Sequence, residues 1–251
     1  MAYRFATEAA DHSDLASGRV IHGLPGHPAF PVRLADEVLR RCLALRESDA
    51  PCTIYDPCCG AAYHLAVMDF LHRPSIRGIV ASDVDPAVLG TAERNLALLG
   101  VDGMDARIRE LEELRARHGK DSHREALESA RRLRARVATS ASGPLATRVF
   151  RANALDGNAL QRELAGAEVD LVFADVPYGW SSRWEAAEGT APGADAPPAL
   201  WSLLDALRGV VSPATIVAIA SDKAQKAAHE GYRRLERFQV GRRRIVFLAV
   251  G

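Results

Sequence analysis

The chain has 251 residues, 48% apolar and 25% charged, with 32 basic side chains balanced by 32 acidic ones. That length suits one large α/β domain with a real core, and a formal net charge of zero excludes a nucleic-acid signal spread over the whole molecule, so any such signal has to be local. No apolar run approaches membrane length and the start, Met1-Ala2-Tyr3-Arg4-Phe5, carries no signal-peptide core, so a cytoplasmic protein without a membrane partner is expected.

Residues 1–31 are irregular, with two glycines and three prolines between Gly23 and Pro31. They predict a surface arm, and Arg4, Arg19, His22 and His27 leave open that the arm reaches a substrate. The expected division is this arm, 1–31, and a domain over 32–251. In 32–46, Leu34, Val38, Cys42 and Leu45 fall on one helical face while Glu37, Arg40 and Arg41 fall away from it. The four cysteines, Cys42, Cys52, Cys58 and Cys59, lie within eighteen residues and match neither a disulfide framework nor zinc-ligand pairs. Reduced thiols and no metal are therefore expected.

Residues 52–55 read as a first strand, followed by Asp56-Pro57-Cys58-Cys59-Gly60 and a helix through Leu71. A tight turn on Gly60 into a helix N-terminus offers backbone N–H groups to an anionic ligand. The three-glycine dinucleotide fingerprint is missing, because Ala61 and Ala62 stand where further glycines are expected. Residues 78–83 form a second strand ending in Asp83, an acid placed to accept hydrogen bonds from ribose hydroxyls. Asp85 reads as the N-cap and Pro86 as the first residue of the next helix, whose buried face is Leu89, Ala92, Leu96 and Leu99 and whose stop is Gly100.

Residues 105–138 predict an inserted helical hairpin, packed by Ile108, Leu111 and Leu114 against Leu127, Leu133 and Val137. Ser122 and Glu125 fit a capping box for its second helix. Its excess of cations suits a solvated face or a nucleic-acid contact. A strand over 147–151 ends at Asn153-Ala154, where the amide either pairs with an adenine edge or closes a turn. A helix over 158–164 follows.

The apolar run from Val169 to Ala174, β-branched and aromatic on both faces, suits a strand buried inside a parallel sheet. It stops at Asp175-Val176-Pro177-Tyr178, at the carboxyl end where open α/β sheets bind ligands. The Asp175 carboxylate and the carbonyl of Val176 can accept from an N–H edge, and Tyr178 can stack on a flat base. These residues form a seat for a planar nitrogen-bearing group about to be methylated, or else a strand ending in a proline turn. Beyond it, 179–198 is a Gly/Ala/Pro-rich loop carrying Trp180 and Trp184, expected as a lid over the target. A helix over 200–207, a strand over 215–220 and a helix over 222–230 lead to a terminal hairpin. From Tyr232 onward six arginines face one glutamate, and Arg242, Arg243 and Arg244 at the turn suit phosphates or an edge guarded against pairing.

Ligand-type groups thus follow four strands, and with the closing antiparallel hairpin the order resembles the class I S-adenosylmethionine-dependent methyltransferases over about residues 32–251. Phe30-Pro31-Val32-Arg33-Leu34, Asp56-Pro57-Cys58-Cys59-Gly60, Ser82-Asp83-Val84-Asp85-Pro86 and Asp175-Val176-Pro177-Tyr178 resemble, more narrowly, the large-subunit rRNA guanine methyltransferases of the avilamycin-resistance (AviRa) type. The resemblance implies a Rossmann-like, doubly wound, seven-stranded, mostly parallel sheet. It implies that Asp56, Pro57, Cys58 and Gly60 hold the methionine end of S-adenosyl-L-methionine, Asp83 and Val84 the ribose, and Asn153 and Ala154 the adenine. Asp175, Val176, Pro177 and Tyr178 would hold the guanine nitrogen that is methylated, an unpaired or extruded base of 23S rRNA. The sequence departs from the pattern at Ala61, Ala62 and Val176. The competing readings are an amino methyltransferase of DNA or protein glutamine, and a cofactor-binding RNA module without turnover.

Overall fold

The structure, a computed structural model, describes residues 3–26, 28–141, 143, 145–176 and 198–251. Seven strands form one sheet: β1 (Cys52–Asp56), β2 (Ile76–Asp83), β3 (Ala146–Arg151), β4 (Leu171–Asp175), β5 (Ile216–Asp222), β6 (Tyr232–Val240) and β7 (Arg243–Val250). Their order is β3-β2-β1-β4-β5-β7-β6. The first five strands run parallel, and β7 is antiparallel to both β5 and β6. The expected doubly wound sheet with its C-terminal antiparallel hairpin is the observed one.

Side chains alternate strictly between two core layers. In β4, Leu171 and Phe173 enter one layer while Val172 and Ala174 enter the other, and in β7 Ile245 and Phe247 oppose Val246 and Leu248. The continuous apolar runs follow from this burial of both faces. The first layer lies under α1 (Val32–Leu45), α2 (Tyr63–His72) and α3 (Pro86–Ala97), and the second under α6 (Gly157–Glu163) and α7 (Ala199–Arg208). Because β2 lies on one side of β1 and β4 on the other, the strand order reverses between β1 and β4, which opens a crevice at their carboxyl ends.

Between α3 and β3 stand α4 (Val101–His118) and α5 (Asp121–Ala138), joined at Gly119, whose φ of 61° lets its N–H close back on the Arg115 carbonyl at 2.8 Å. Leu111, Leu127 and Leu133 are buried, with Ile108, Leu114 and Val137 packed against them. Arg131 pairs with Glu112, Arg134 with Asp105 and Arg132 with Asp14, so many of the hairpin's cations serve the protein itself. The first helix begins at Val101, directly after Gly100, rather than at 105. The expected capping box is not formed: Lys120 is the N-cap, without a side-chain bond, and Glu125 pairs with Arg19.

Three other expectations are overturned. The N-terminal segment is not a surface arm, since Leu15, Val20, Ile21 and Phe30 lie in the main core. Glu37 and Arg41 do not point away from the buried face of α1 but are 0% and 5% exposed. Glu37 accepts the backbone N–H groups of Arg4, Phe5 and Ala6, and Arg41 bridges Glu37 to Glu236 on β6. Residues 222–230 form no helix: Asp222 accepts the Ala224 N–H at 2.9 Å, and the Gln225 side chain accepts the Asp222 N–H at 3.0 Å, which closes turns instead. No helix among the described residues is long and apolar enough to cross a membrane.

Candidate active site

Asp56, Asp83 and Asp175 are the last residues of β1, β2 and β4, three neighbouring strands at the reversal of strand order. Cys58, half-buried in the loop after β1, records their convergence. Burial, followed by the negative charges of Asp56, Asp83 and Asp175, holds its thiol well above the ordinary value. Cys59 is raised in the same way, by burial and then by Asp56 and Asp83. Both thiols are free, as are those of Cys42 and Cys52. In both, burial and the neighbouring carboxylates disfavour the thiolate.

The loop from Asp56 to α2 is built from within. Asp56 is fully buried; one carboxylate oxygen accepts the Cys58 N–H at 2.9 Å and the other lies 2.6 Å from Nε2 of His64. Pro57 is buried. The Cys59 N–H donates to the Ser82 carbonyl at 2.9 Å, and the Gly60 N–H donates to Asp83 at 2.9 Å, so the loop is sewn onto the end of β2. Gly60 and Ala62 both have positive φ, 51° and 53°. A methyl group added at Gly60 would approach only the Leu24 side chain, at 4.0 Å, so the loop faces open space there. Ala62 is the sole non-glycine among the described residues in this region, and it occupies one of the places where the sequence lacks an expected glycine.

Asp83 accepts from Gly60 with one oxygen and from the Asp85 N–H, at 3.0 Å, with the other. Its carboxyl is raised above the ordinary value by burial, which outweighs these two N–H groups. Each oxygen keeps a lone pair for a further donor. Asp85 is the N-cap of α3, accepting from Ala87, as its sequence position implied. The Val84 carbonyl accepts from Arg151 Nε at 3.0 Å.

Asn153 uses its side-chain oxygen to accept the Leu155 N–H at 3.0 Å, the turn-closing use of an Asn at a strand end. Ala154 beside it is 6% exposed. Asp175 stands opposite Ala220 on β5, and the Val176 N–H donates to the Ala220 carbonyl at 3.0 Å, holding the chain extended one residue past the strand. Pro177, Tyr178, Trp180 and Trp184 lie outside the described residues, as does His27.

The three turn arginines do not all face one way. Arg242 pairs with Asp222 at 3.3 Å, the Arg243 guanidinium lies 5.3 Å from the Phe30 ring centre, and Arg244 lies on the opposite face of the hairpin from Arg243. Sequence reasoning also missed two buried residues that shape the site. His64 supports Asp56 and packs edge-on against Phe173. Asn95 accepts the His22 N–H and donates to the carbonyls of His22 and Ala61, fixing the N-terminal segment beside the loop. A polar side chain on an otherwise apolar helical face was the available signal for both.

A family model described as rRNA methyltransferase AviRa matches residues 1–243. The chain is 44% identical over 247 residues to the 23S rRNA (guanine(2535)-N(1))-methyltransferase of Streptomyces viridochromogenes, covering 98% of this chain and 95% of that relative. A solved structure of the rRNA methyltransferase aviRa from the same organism superposes with a TM-score of 0.86 at 42% identity, over 99% of this chain and 96% of that one. A Listeria monocytogenes protein provisionally assigned to the class I S-adenosylmethionine-dependent methyltransferases shares the fold at a TM-score of 0.53 and 13% identity, over 92% and 63% of the two chains.

Proposed function

The chain belongs to the AviRa family of rRNA methyltransferases, and from that premise we propose that it moves a methyl group from S-adenosyl-L-methionine to a base nitrogen of a guanine in 23S rRNA, giving avilamycin-type resistance. The observation that carries this reading is that β1, β2 and β4, three neighbouring strands, end in Asp56, Asp83 and Asp175 at the reversal point of a doubly wound sheet.

The residues present suit the donor. Gly60 faces open space at the start of α2, where backbone N–H groups gather. Asp83 is already held by two backbone N–H groups and keeps acceptor capacity for two ribose hydroxyls. When bound, the donor supplies an activated methyl group on a sulfonium, so the remaining work is placement. Asp56 has no exposed surface and would act through the loop it braces, with Pro57, Cys58 and Gly60 of that loop toward the methionine end. Val84 and Asp83 flank the ribose, and Asn153 and Ala154 border the adenine.

Asp175 would accept the hydrogen bond from the guanine N–H and take up the proton that the nitrogen loses when it is methylated, the donor leaving as the neutral thioether. The carbonyl of Val176 accepts a second bond from the same edge. Pro177, Tyr178, Trp180 and Trp184, which the sequence offers for the rest of the seat, lie outside the described residues. A base inside a duplex cannot reach this depth, so the target is unpaired or extruded.

Labelled methyl transfer into deproteinised 23S rRNA, genomic DNA and a protein extract tests the reading. Label in a guanosine of the rRNA is expected, and label confined to DNA or protein would replace it.

A further inference from the structure

Arg234 and Arg237 are three positions apart on β6, and in an unbroken strand that separation sends side chains to opposite faces. Here β6 carries an irregularity. Arg234 stands opposite Leu248 and Glu236 opposite Phe247, so Leu235 is an extra residue without a partner in β7. The inserted residue returns Arg237, opposite Val246, to the face that Arg234 occupies. Arg244 of β7, opposite Gln239, faces the same way, since it alternates with Val246 and Leu248.

The two faces of the hairpin differ in how they treat charge. On the α1 face, Leu235, Phe238 and Val240 pack into the core, Glu236 is neutralised by Arg41, and the Arg41 guanidinium also covers Phe238. On the other face Arg234 and Arg237 are exposed and Arg244 is half-buried, and among the described residues none of the three has an ion pair or a hydrogen bond from its guanidinium. Arg242 and Arg243, by contrast, are engaged with Asp222 and Phe30. The row starts at the site end of the sheet with Arg244 and runs back along the hairpin to Arg234, whose partner Leu248 stands opposite Val217 near the start of β5. Arg243 and Arg244 stand opposite Asp222 and Ser221, at the carboxyl end of β5, the same end of the sheet as the three acids.

We propose that Arg234, Arg237 and Arg244 form the surface that grips the phosphate backbone of a structured RNA as it leads away from the end of the sheet that carries the three acids. The proposal rests on the rRNA reading above and deepens it. Protection of an edge strand requires charge somewhere along the edge, and a bulge alone already turns an edge away; neither requires three cations on one face. A backbone-gripping surface does require it, because each guanidinium must reach a phosphate of the same strand or groove.

The test is salt-dependent binding of the full chain to deproteinised 23S rRNA. Each lost phosphate contact lowers the slope of log affinity against log salt by about 0.7–0.9, so the triple variant R234Q/R237Q/R244Q should lose about two in slope. Its affinity for S-adenosylhomocysteine should be unchanged, which shows that the fold is intact. R233Q, on the opposite face, and R242Q, already paired, should keep the wild-type slope. A triple variant with the wild-type slope overturns the proposal, as does an equal loss in R233Q. If the wild-type chain itself neither binds nor methylates rRNA, the functional reading fails instead.

Discussion

The imidazole of His64, in the first turn of α2, meets the carboxylate of Asp56, at the tip of β1, at 2.6 Å and so ties together the two ends of the loop proposed to hold the donor. Apart from this ion-pair contact neither atom has a hydrogen-bond partner among the described residues, and both side chains are buried. Between them lie Gly60 and Ala62, the two residues of the loop with positive φ. The contact closes a turn that its own backbone preferences would open.

His64→Leu therefore leaves one oxygen of a fully buried carboxylate without a partner. Unfolding in urea should show a loss of about 1–3 kcal/mol, the range for an orphaned buried polar group, together with weaker binding of S-adenosylhomocysteine. A loss well under 1 kcal/mol, with unchanged binding, would show that Asp56 does not depend on the imidazole.

Ala62 supplies a sharper contrast. A left-handed conformation costs an L-residue about 1–2 kcal/mol, while glycine brings about 0.5–1 kcal/mol of extra chain entropy and would remove a methyl worth about 0.8 kcal/mol from a site with no exposure. These terms nearly cancel, so Ala62→Gly should change stability by less than about 1 kcal/mol. Ala62→Val, branched at a position with positive φ, should be far more costly. Equal midpoints for the two variants in denaturant would mean that the backbone at 62 does not hold this conformation.

Asp83→Ala should weaken S-adenosylhomocysteine binding in calorimetry without unfolding the protein. Because burial raises its carboxyl above the ordinary value of 3.8, the accepting, ionised form is lost on acidification sooner than for an exposed aspartate. Affinity for the donor product should then decline, as the pH is lowered, before the ordinary carboxylate range is reached, and Asp83→Asn should remove that decline. A wild-type affinity that stays flat through this range takes Asp83 out of the ribose site.

In the proposed seat Asp175 accepts from the nitrogen that gains the methyl group, and Asp175→Ala removes that contact. Single-turnover transfer to rRNA should fall by about 10²-fold or more while donor affinity is kept. A near-normal rate would assign the acceptor role to another group.

Much of this architecture was legible in the sequence because it is local. The alternation of Leu171, Val172, Phe173 and Ala174 between layers follows from a continuous apolar run, and Asp83 and Asp175 end their strands where the runs stop. Asp85 declared itself as a cap through Pro86. What was missed depends on partners far away in the chain. Glu37 and Arg41 look like solvated helix charges until the N-terminal backbone and Glu236 close over them. The hydrophobic residues of 1–31 carry no period, so nothing announced their burial. At 222–230 the helical expectation lost to side-chain bonds of Asp222 and Gln225 that close turns. In the hairpin, one unpaired residue at Leu235 decides which arginines share a face, and no count of charges along the chain reveals it.

A crystal structure of the chain with S-adenosylhomocysteine tests the central claim most directly. The ribose hydroxyls should lie within about 3 Å of the Asp83 carboxylate, with the amino-acid end over Gly60 and the sulfur turned toward Asp175 and Val176. A ligand seated elsewhere, or one in the crevice with its sulfur facing away from Asp175, would contradict the account.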